Sequence, residues 1–492
     1  MSPFTIRSRR VFPLLWLVLL AVGLMPAPPA QATDQDPPQL RRDGRWLVDQ
    51  YGRAVLVHGM NLVFKHDPYV PPNEPAGFTA DDAQWLHDHG FNGARIGTLW
   101  AGVTPDRPGV ADETYLAAWQ RVIDQLAEHE IWMQYDFHQD QWHETYGGGG
   151  VPDWAVKRPL PYRLLPPVTA PFPLGYWTPE VSTVFDNFWA NKHQLLDGWA
   201  AAWQIVAQRW RDQPYSMGYD LLNEPWAGKE WPDCLLTGCQ DSYPRELQPA
   251  MEHALRAIRQ ADPGNIVYFE PQQFAGGREV PTNYGPVSGE DQLGYSWHNY
   301  CPQVFFESQG IPGTDVSKCQ EFSEERTRDA LDQGERMHAT GVMSEFGATD
   351  NIEALEIDTA VADRYFTSWM HWSYKNWDDP TTADTAQGMF TDDADLSTVK
   401  QRKLRTLVRT YPQATAGIPK DLSFDPDTGD FRFVYQPRDL AVPSVVFVSP
   451  LHYPDGYTVD VAGGHVTGPA RDNRIRVAAT GTGPVTVTIR RR

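Results

Sequence analysis

Two kinds of hydrophobic pattern alternate along most of the chain. Short, nearly continuous apolar runs, the mark of strands buried on both faces, occupy Ala54–Asn61, Gly93–Gly97, Ile131–Phe137 and Met217–Leu222. Four more follow at Asn265–Phe269, Gly294–His298, Gly341–Ser344 and Trp369–Ser373. Between them apolar residues return at helical spacing. Asp81–His89 predicts a short helix, and Glu113–Glu128 puts Leu116, Trp119, Val122, Ile123 and Leu126 on one face. A long helix is expected through Phe185, Phe188, Trp189, Leu195, Leu196, Trp199, Trp203, Val206 and Trp210. Helices at Tyr243–Gln260, Ser323–Ala339 and Asp358–Thr367 separate later strands, while the connection between strands five and six shows no clear helix.

Eight strands in βα alternation predict an α/β fold, a (β/α)8 TIM barrel, spanning residues 38–416. An open doubly wound sheet is the competing architecture. It carries a Gly-rich phosphate turn after its first strand, where this chain has His58-Gly-Met-Asn-Leu62. After Gly417 the period drops to two. Short strands at Phe431–Tyr435, Ser444–Val448, Tyr457–Val461, Arg474–Val477 and Val485–Ile489 alternate with Gly- and Asp-rich turns. They predict a second, all-β domain over 417–492, a small sandwich.

Composition adds three constraints. The 492 residues are 41% hydrophobic with 19 Trp, enough for a large core, and carry a formal net charge of −21. Such acidity repels phosphate backbones and argues against nucleic acid as a partner. Residues 1–32 read as a signal peptide: Arg7, Arg9 and Arg10 precede an apolar run from Val11 to Met25, then Ala30-Gln31-Ala32. Ser8-Arg9-Arg10-Val11-Phe12 also suits the twin-arginine type. A secreted protein is expected, the alternative being a surface protein anchored by an uncleaved N-terminus. Export makes disulfides plausible, and among three possible pairings the local ones, Cys234–Cys239 and Cys301–Cys319, each staple an excursion near a strand end. Free buried thiols are the alternative.

In a parallel barrel the C-terminal strand ends converge on one mouth. Here those ends carry Arg95, then Asp136-Phe-His138-Gln-Asp140, Asn223-Glu224, His298-Asn-Tyr300, Glu345 and Trp372. Glu224 and Glu345 on facing strands suit glycosidic cleavage, in which one carboxyl protonates the leaving oxygen and the other attacks the anomeric carbon. Asn223 is placed to hold a sugar 2-hydroxyl, Arg95 to keep the nucleophile ionised, and Tyr300 to donate to Glu345. Trp372 offers a face for a sugar ring or packs in the core. No cofactor is implied. The spacing His138, Asp140, His143, Glu144 loosely suggests divalent ligands but matches no established metal site, and none is expected.

The set Arg95, His138, Asn223-Glu224-Pro225, His298, Tyr300, Glu345-Phe-Gly347 and Trp372 resembles glycoside hydrolase family 5, in the clan of retaining (β/α)8 enzymes. Asp136-Phe-His138-Gln-Asp140, Phe185-Asp-Asn-Phe-Trp189, Tyr219-Asp-Leu-Leu-Asn-Glu-Pro225 and Tyr411-Pro-Gln-Ala-Thr-Ala-Gly417 are similar to its endoglycoceramidase branch. That resemblance implies Glu224 as acid/base, Glu345 as nucleophile, and Lys65, Asp136 and His138 as contacts to the sugar beside the scissile bond. It also implies hydrolysis between the reducing-end sugar and ceramide of a glycosphingolipid. The alternatives are an endo-β-glucanase or mannanase of the same family, and a non-catalytic carbohydrate- or lipid-binding protein. A glycolipid needs an apolar wall beside the sugar slot. The proline-rich, apolar stretch Val151–Trp177, with Lys157, Arg158 and Arg163, suits either contact with a membrane or micelle surface or a loop packed on the rim.

Overall fold

The computed structural model describes residue 1 and residues 37–238, 240–272, 282–304, 315–381 and 385–492. The signal segment, beyond its first residue, and Cys239 of the Cys234–Cys239 pairing lie outside the described residues, as does part of the connection between strands five and six.

Eight parallel strands close into a barrel: β1 (His58–Leu62), β2 (Gly93–Gly97), β3 (Trp132–Asp136), β4 (Ser216–Asp220), β5 (Val267–Phe269), β6 (Leu293–Asn299), β7 (Ala339–Gly347) and β8 (Ser368–Trp372). Closure comes from β8 returning to β1, with His371 opposite Met60. Every residue of β1, β2, β3, β4 and β8 is buried, the environment that their continuous apolar runs require. The outer ring includes α1 (Ala80–Asp88), α2 (Glu113–Glu128), α3 (Pro179–Trp189), α4 (Leu195–Trp210), α5 (Gln248–Ala261), α6 (Lys318–Met337) and α7 (Ile352–Tyr365). In α2 the Asp112 side chain accepts from the first-turn amides of Thr114 and Tyr115, and all five expected face residues are buried.

Three expectations are corrected. The long helix is two, α3 and α4, broken where Asn191, His193 and Gln194 take positive φ. Asn191 Oδ1 accepts from the amides of Leu196 and Asp197, so the break is also the start of α4. The first strand is likewise two pieces. Ala54–Val55 leaves the barrel sheet and pairs with Thr415 and Ala414, whereas His58–Leu62 alone is β1. The helix beginning at Tyr243 opens with a wider turn over Tyr243–Leu247 before α5.

The C-terminal region is a sandwich of a seven-stranded and a four-stranded sheet. In Val485–Arg491 the alternate residues Val485, Val487 and Ile489 are buried, and they share a core with Phe433, Val446, Phe447 and Val477. The larger sheet also recruits Arg41–Asp43, Trp46–Val48, Ala54–Val55 and Tyr411–Thr415, so residues on both sides of position 416 build it. Tyr411 stacks on His58 at 3.7 Å, and His58 on Trp369 at 4.4 Å. Gly90, at φ +79°, carries the chain past Phe447, whose ring would lie 2.3 Å from any Cβ there. These contacts are at the N-terminal strand ends. The sandwich thus packs on the floor of the barrel, at the end opposite the mouth.

Candidate active site

Arg95 is the organising residue of the mouth. Its guanidinium, fully buried, meets Glu345 Oε1 at 2.5 Å, Glu270 Oε1 at 2.7 Å, Asp136 Oδ1 at 3.0 Å and Asp220 Oδ2 at 3.1 Å. Nη2 also donates to Asn223 Oδ1 at 3.1 Å. Five donors in a rigid plane can serve that many acceptors, which an ammonium cannot. Burial raises Asp136, Asp220 and Glu270 above their ordinary values, against the attraction of Arg95.

Glu345 is the exception. Burial alone would push its carboxyl up, but His298, Arg95, His138 and the Tyr300 hydroxyl outweigh it and hold the group below the ordinary range. Tyr300 donates to Glu345 Oε2 at 2.8 Å. Glu224 goes the other way: burial raises it, with the Glu345 charge adding and His298 opposing. One oxygen of each glutamate and one nitrogen of His298 all lie within 4.8 Å of one another. The two carboxyls therefore differ in environment, Glu345 shifted down and Glu224 shifted up, with one oxygen of each close enough to act on a single bond.

His298 Nδ1 lies 2.9 Å from Glu224 Oε1 and 3.5 Å from Glu345 Oε2. Burial opposes its charge, yet Glu270 and Glu345 raise the imidazole well above its ordinary value. Glu224 itself has φ +45°, an unusual backbone for this side chain, four residues past β4. Gln139 steadies the turn by donating to the carbonyls of Asn223 and Glu224.

On the other side of the mouth, His138 Nδ1 meets Asp136 Oδ2 at 2.8 Å and its ring stacks on Trp372 at 5.2 Å. Asp140 and Asp136 hold the His138 imidazole at about 9, although burial and then the Lys65 charge work against it. Lys65 reaches Thr381 Oγ1 at 2.6 Å, Asp140 Oδ2 at 2.8 Å and Asp379 Oδ1 at 3.3 Å, with Nζ 4.5 Å over the Trp372 ring. Three acceptors match its three protons, so a sugar hydroxyl must displace one of them or bond to Asp140 instead. The ring N–H of Trp372 donates to Gln387 Oε1 at 2.6 Å.

The nine residues expected at the strand ends, Arg95, Asp136, His138, Asn223, Glu224, His298, Tyr300, Glu345 and Trp372, thus meet in one site together with Lys65, which the resemblance implied. The loose metal spacing does not converge: His143 bonds Asp153 and Thr145, and Glu144 accepts from Tyr69. Asp136, Asp220 and Glu270 have the spacing for a cation, and the Arg95 guanidinium already lies among them. Sequence reading missed Glu270, Asp220, Asp140 as an anchor, and Asp379. Glu270 was visible as the residue directly after the fifth strand, and Asp220 as an acid inside an apolar run; Asp379 had no signal. Cys301 and Cys319 are bonded, with Cα atoms 5.5 Å apart, one residue beyond Tyr300.

Residues 48–379 match the cellulase family, glycosyl hydrolase family 5, and residues 409–490 match the glycoside hydrolase family 5 C-terminal domain. The chain belongs to glycosyl hydrolase family 5. Within it, the chain is 37% identical over 463 residues to endoglycoceramidase I of Rhodococcus hoagii (strain 103S), covering 92% of this chain and 88% of that one. Endo-glycoceramidase II from Rhodococcus sp. shares the fold. Its ganglioside GM3 complex has a TM-score of 0.75 at 23% identity, covering 92% of this chain and 100% of that one. Its lactosyl-enzyme intermediate gives 0.74 at 24%, covering 91% and 99%. This family 5 chain therefore sits in the endoglycoceramidase-like branch, with its barrel mouth and floor module both accounted for.

Proposed function

We propose that the protein is a secreted, retaining β-glycosidase that cleaves between the reducing-end sugar and ceramide of glycosphingolipids and releases the glycan intact. Glu345 attacks the anomeric carbon while Glu224 protonates the departing ceramide oxygen; Glu224 then deprotonates the water that frees the sugar. The observation that carries this reading is the pair itself: Glu345 is held below its ordinary range and Glu224 above its own, with one oxygen of each within 4.8 Å of the other, a closeness that suits a covalent mechanism. Asn223 is held by Arg95 through its Oδ1 and by the Gln139 carbonyl through its Nδ2, which leaves one amide proton for a 2-hydroxyl. Asp136, His138 and Lys65 line the sugar side, and Trp372 supplies its apolar face. The relatives' names supply the aglycone. Purified protein given glucosyl-, galactosyl- and longer-chain ceramides is expected to release ceramide and an unshortened sugar. Oligomers from soluble β-glucan, with no ceramide released from any head group, would overturn the assignment.

The loop after β3 supports a lipid-side contact. Leu160, Leu164, Leu165 and Val168 are exposed, at 58%, 74%, 60% and 57%, with Leu174 and Trp177 beside them. Its base is fixed, because Gln141 bonds the backbone of Tyr146, Ala170 and Gly175. With Lys157 and Arg163 on the same segment, and Arg158 tying it to Glu180, this tip suits insertion at an anionic lipid surface. Among the described residues no helix is long and apolar enough to cross a membrane. Replacing Leu164 and Leu165 by Asp together is expected to cut turnover of substrate in anionic vesicles by at least about tenfold, since burial of even one Leu contributes about 1.5–3 kcal/mol. Turnover of the same lipid in detergent micelles is expected to change much less. Equal loss in both, or none in vesicles, would remove the contact.

A further inference from the structure

The two-step reading leaves one carboxylate of the mouth without a task. Glu270, just past β5, is 1% exposed, and both of its oxygens are engaged. Oε1 lies 2.7 Å from Arg95 Nη2 and 3.4 Å from His298 Nε2. Oε2 accepts the backbone N–H of Glu224 at 2.9 Å. A plain partner for Arg95 would need neither of the last two contacts, and Arg95 already has Asp136, Asp220 and Glu345. Resting on the assignment of Glu224 as the acid, we propose that Glu270 is a positioning residue for it: one oxygen fixes the amide of Glu224, the other orients the His298 imidazole against its carboxyl.

The physical case has two parts. The φ of +45° at Glu224 is not a conformation the residue takes by default, so the direction of its amide must be held by something. The second part concerns His298, which meets Glu224 and Glu345 through Nδ1 and Glu270 through Nε2, while its backbone carbonyl accepts from Arg326. Among the described residues, Arg95 and Tyr300 also reach this cluster, through Glu345 and Glu270. Of the groups that favour the imidazolium, Glu270 is the strongest. Removing its charge turns His298 toward its neutral form and loosens the hold on the acid.

Glu270→Gln tests this in the full chain. The amide oxygen can still accept from Glu224, but the NH2 then faces two other donors, Arg95 Nη2 and His298 Nε2. Expected is a loss in kcat/KM on glycosylceramide of about 100-fold, within the usual range for disabling a general acid. On the 2,4-dinitrophenyl glycoside of the same sugar, whose leaving group needs no proton, the loss is expected to stay below about fivefold. Equal losses on the two substrates, or no loss on either, would overturn the proposal. If the Gln variant does not fold, Glu270→Asp keeps the charge beside Arg95 but falls short of the Glu224 amide, and the same selective loss is expected. Glu224→Ala is run alongside. If it too loses equally on both substrates, the acid assignment has failed; if it is selective and Glu270→Gln is not, only this inference has.

Discussion

Glu345→Gln is expected to lower kcat on glycosylceramide by at least about 10⁴-fold, because the amide cannot attack carbon and no other group stands in its place. The substitution preserves volume and leaves Tyr300 a carbonyl to donate to. Arg95 loses one of four carboxylates and keeps Asp136, Asp220 and Glu270, so the mouth stays assembled. Circular dichroism and thermal unfolding should therefore remain close to those of the parent. The same residue is identified positively by a 2-fluoro glycoside, which accumulates the glycosyl-enzyme, and peptide mapping should find the sugar on Glu345. A near-parental rate in the Gln variant, or a label on a different residue, would end its candidacy as nucleophile.

The barrel was legible because its strands are buried on both faces and so write themselves as apolar runs; the order of those runs also gave the residues at the mouth. What the runs hid was contact across the chain. Ala54–Val55 continues the apolar run into β1, yet its partners are Ala414 and Thr415, about which local pattern says nothing. The strands Arg41–Asp43 and Trp46–Val48 are three residues each, too short to show a period. The break between α3 and α4 came from one Asn whose side chain caps the next helix, inside an otherwise unbroken apolar stripe. Glu270 is the instructive omission within the site. The fifth strand was found and its exit passed over, because a lone acid after Phe269 has no partner in sequence. Its meaning lies in Arg95, His298 and the amide of Glu224, all from other strands.

That same geometry fixes what removal of the acid should do. Glu224→Ala is expected to cost about 10³-fold in kcat/KM on glycosylceramide, whose alkoxide leaving group needs a proton, and little on a dinitrophenyl glycoside. Deglycosylation also needs Glu224 as base, so kcat on the activated substrate should fall, and added azide, a nucleophile that requires no base, should restore it while forming the β-glycosyl azide. The pH profile gives an independent check. Burial holds the Glu224 carboxyl above its ordinary value and the surrounding cations hold Glu345 below its own, so kcat/KM on ceramide substrates should rise with ionisation of Glu345 and fall with ionisation of Glu224. In Glu224→Ala, assayed on the activated glycoside, the alkaline fall should vanish and the acid rise should stay in place, because Glu224 carries no charge in the range where Glu345 ionises. An alkaline limb that persists unchanged, or equal losses on ceramide and aryl substrates, would assign the proton to another group, and His298 would be the first to examine because it touches both glutamates.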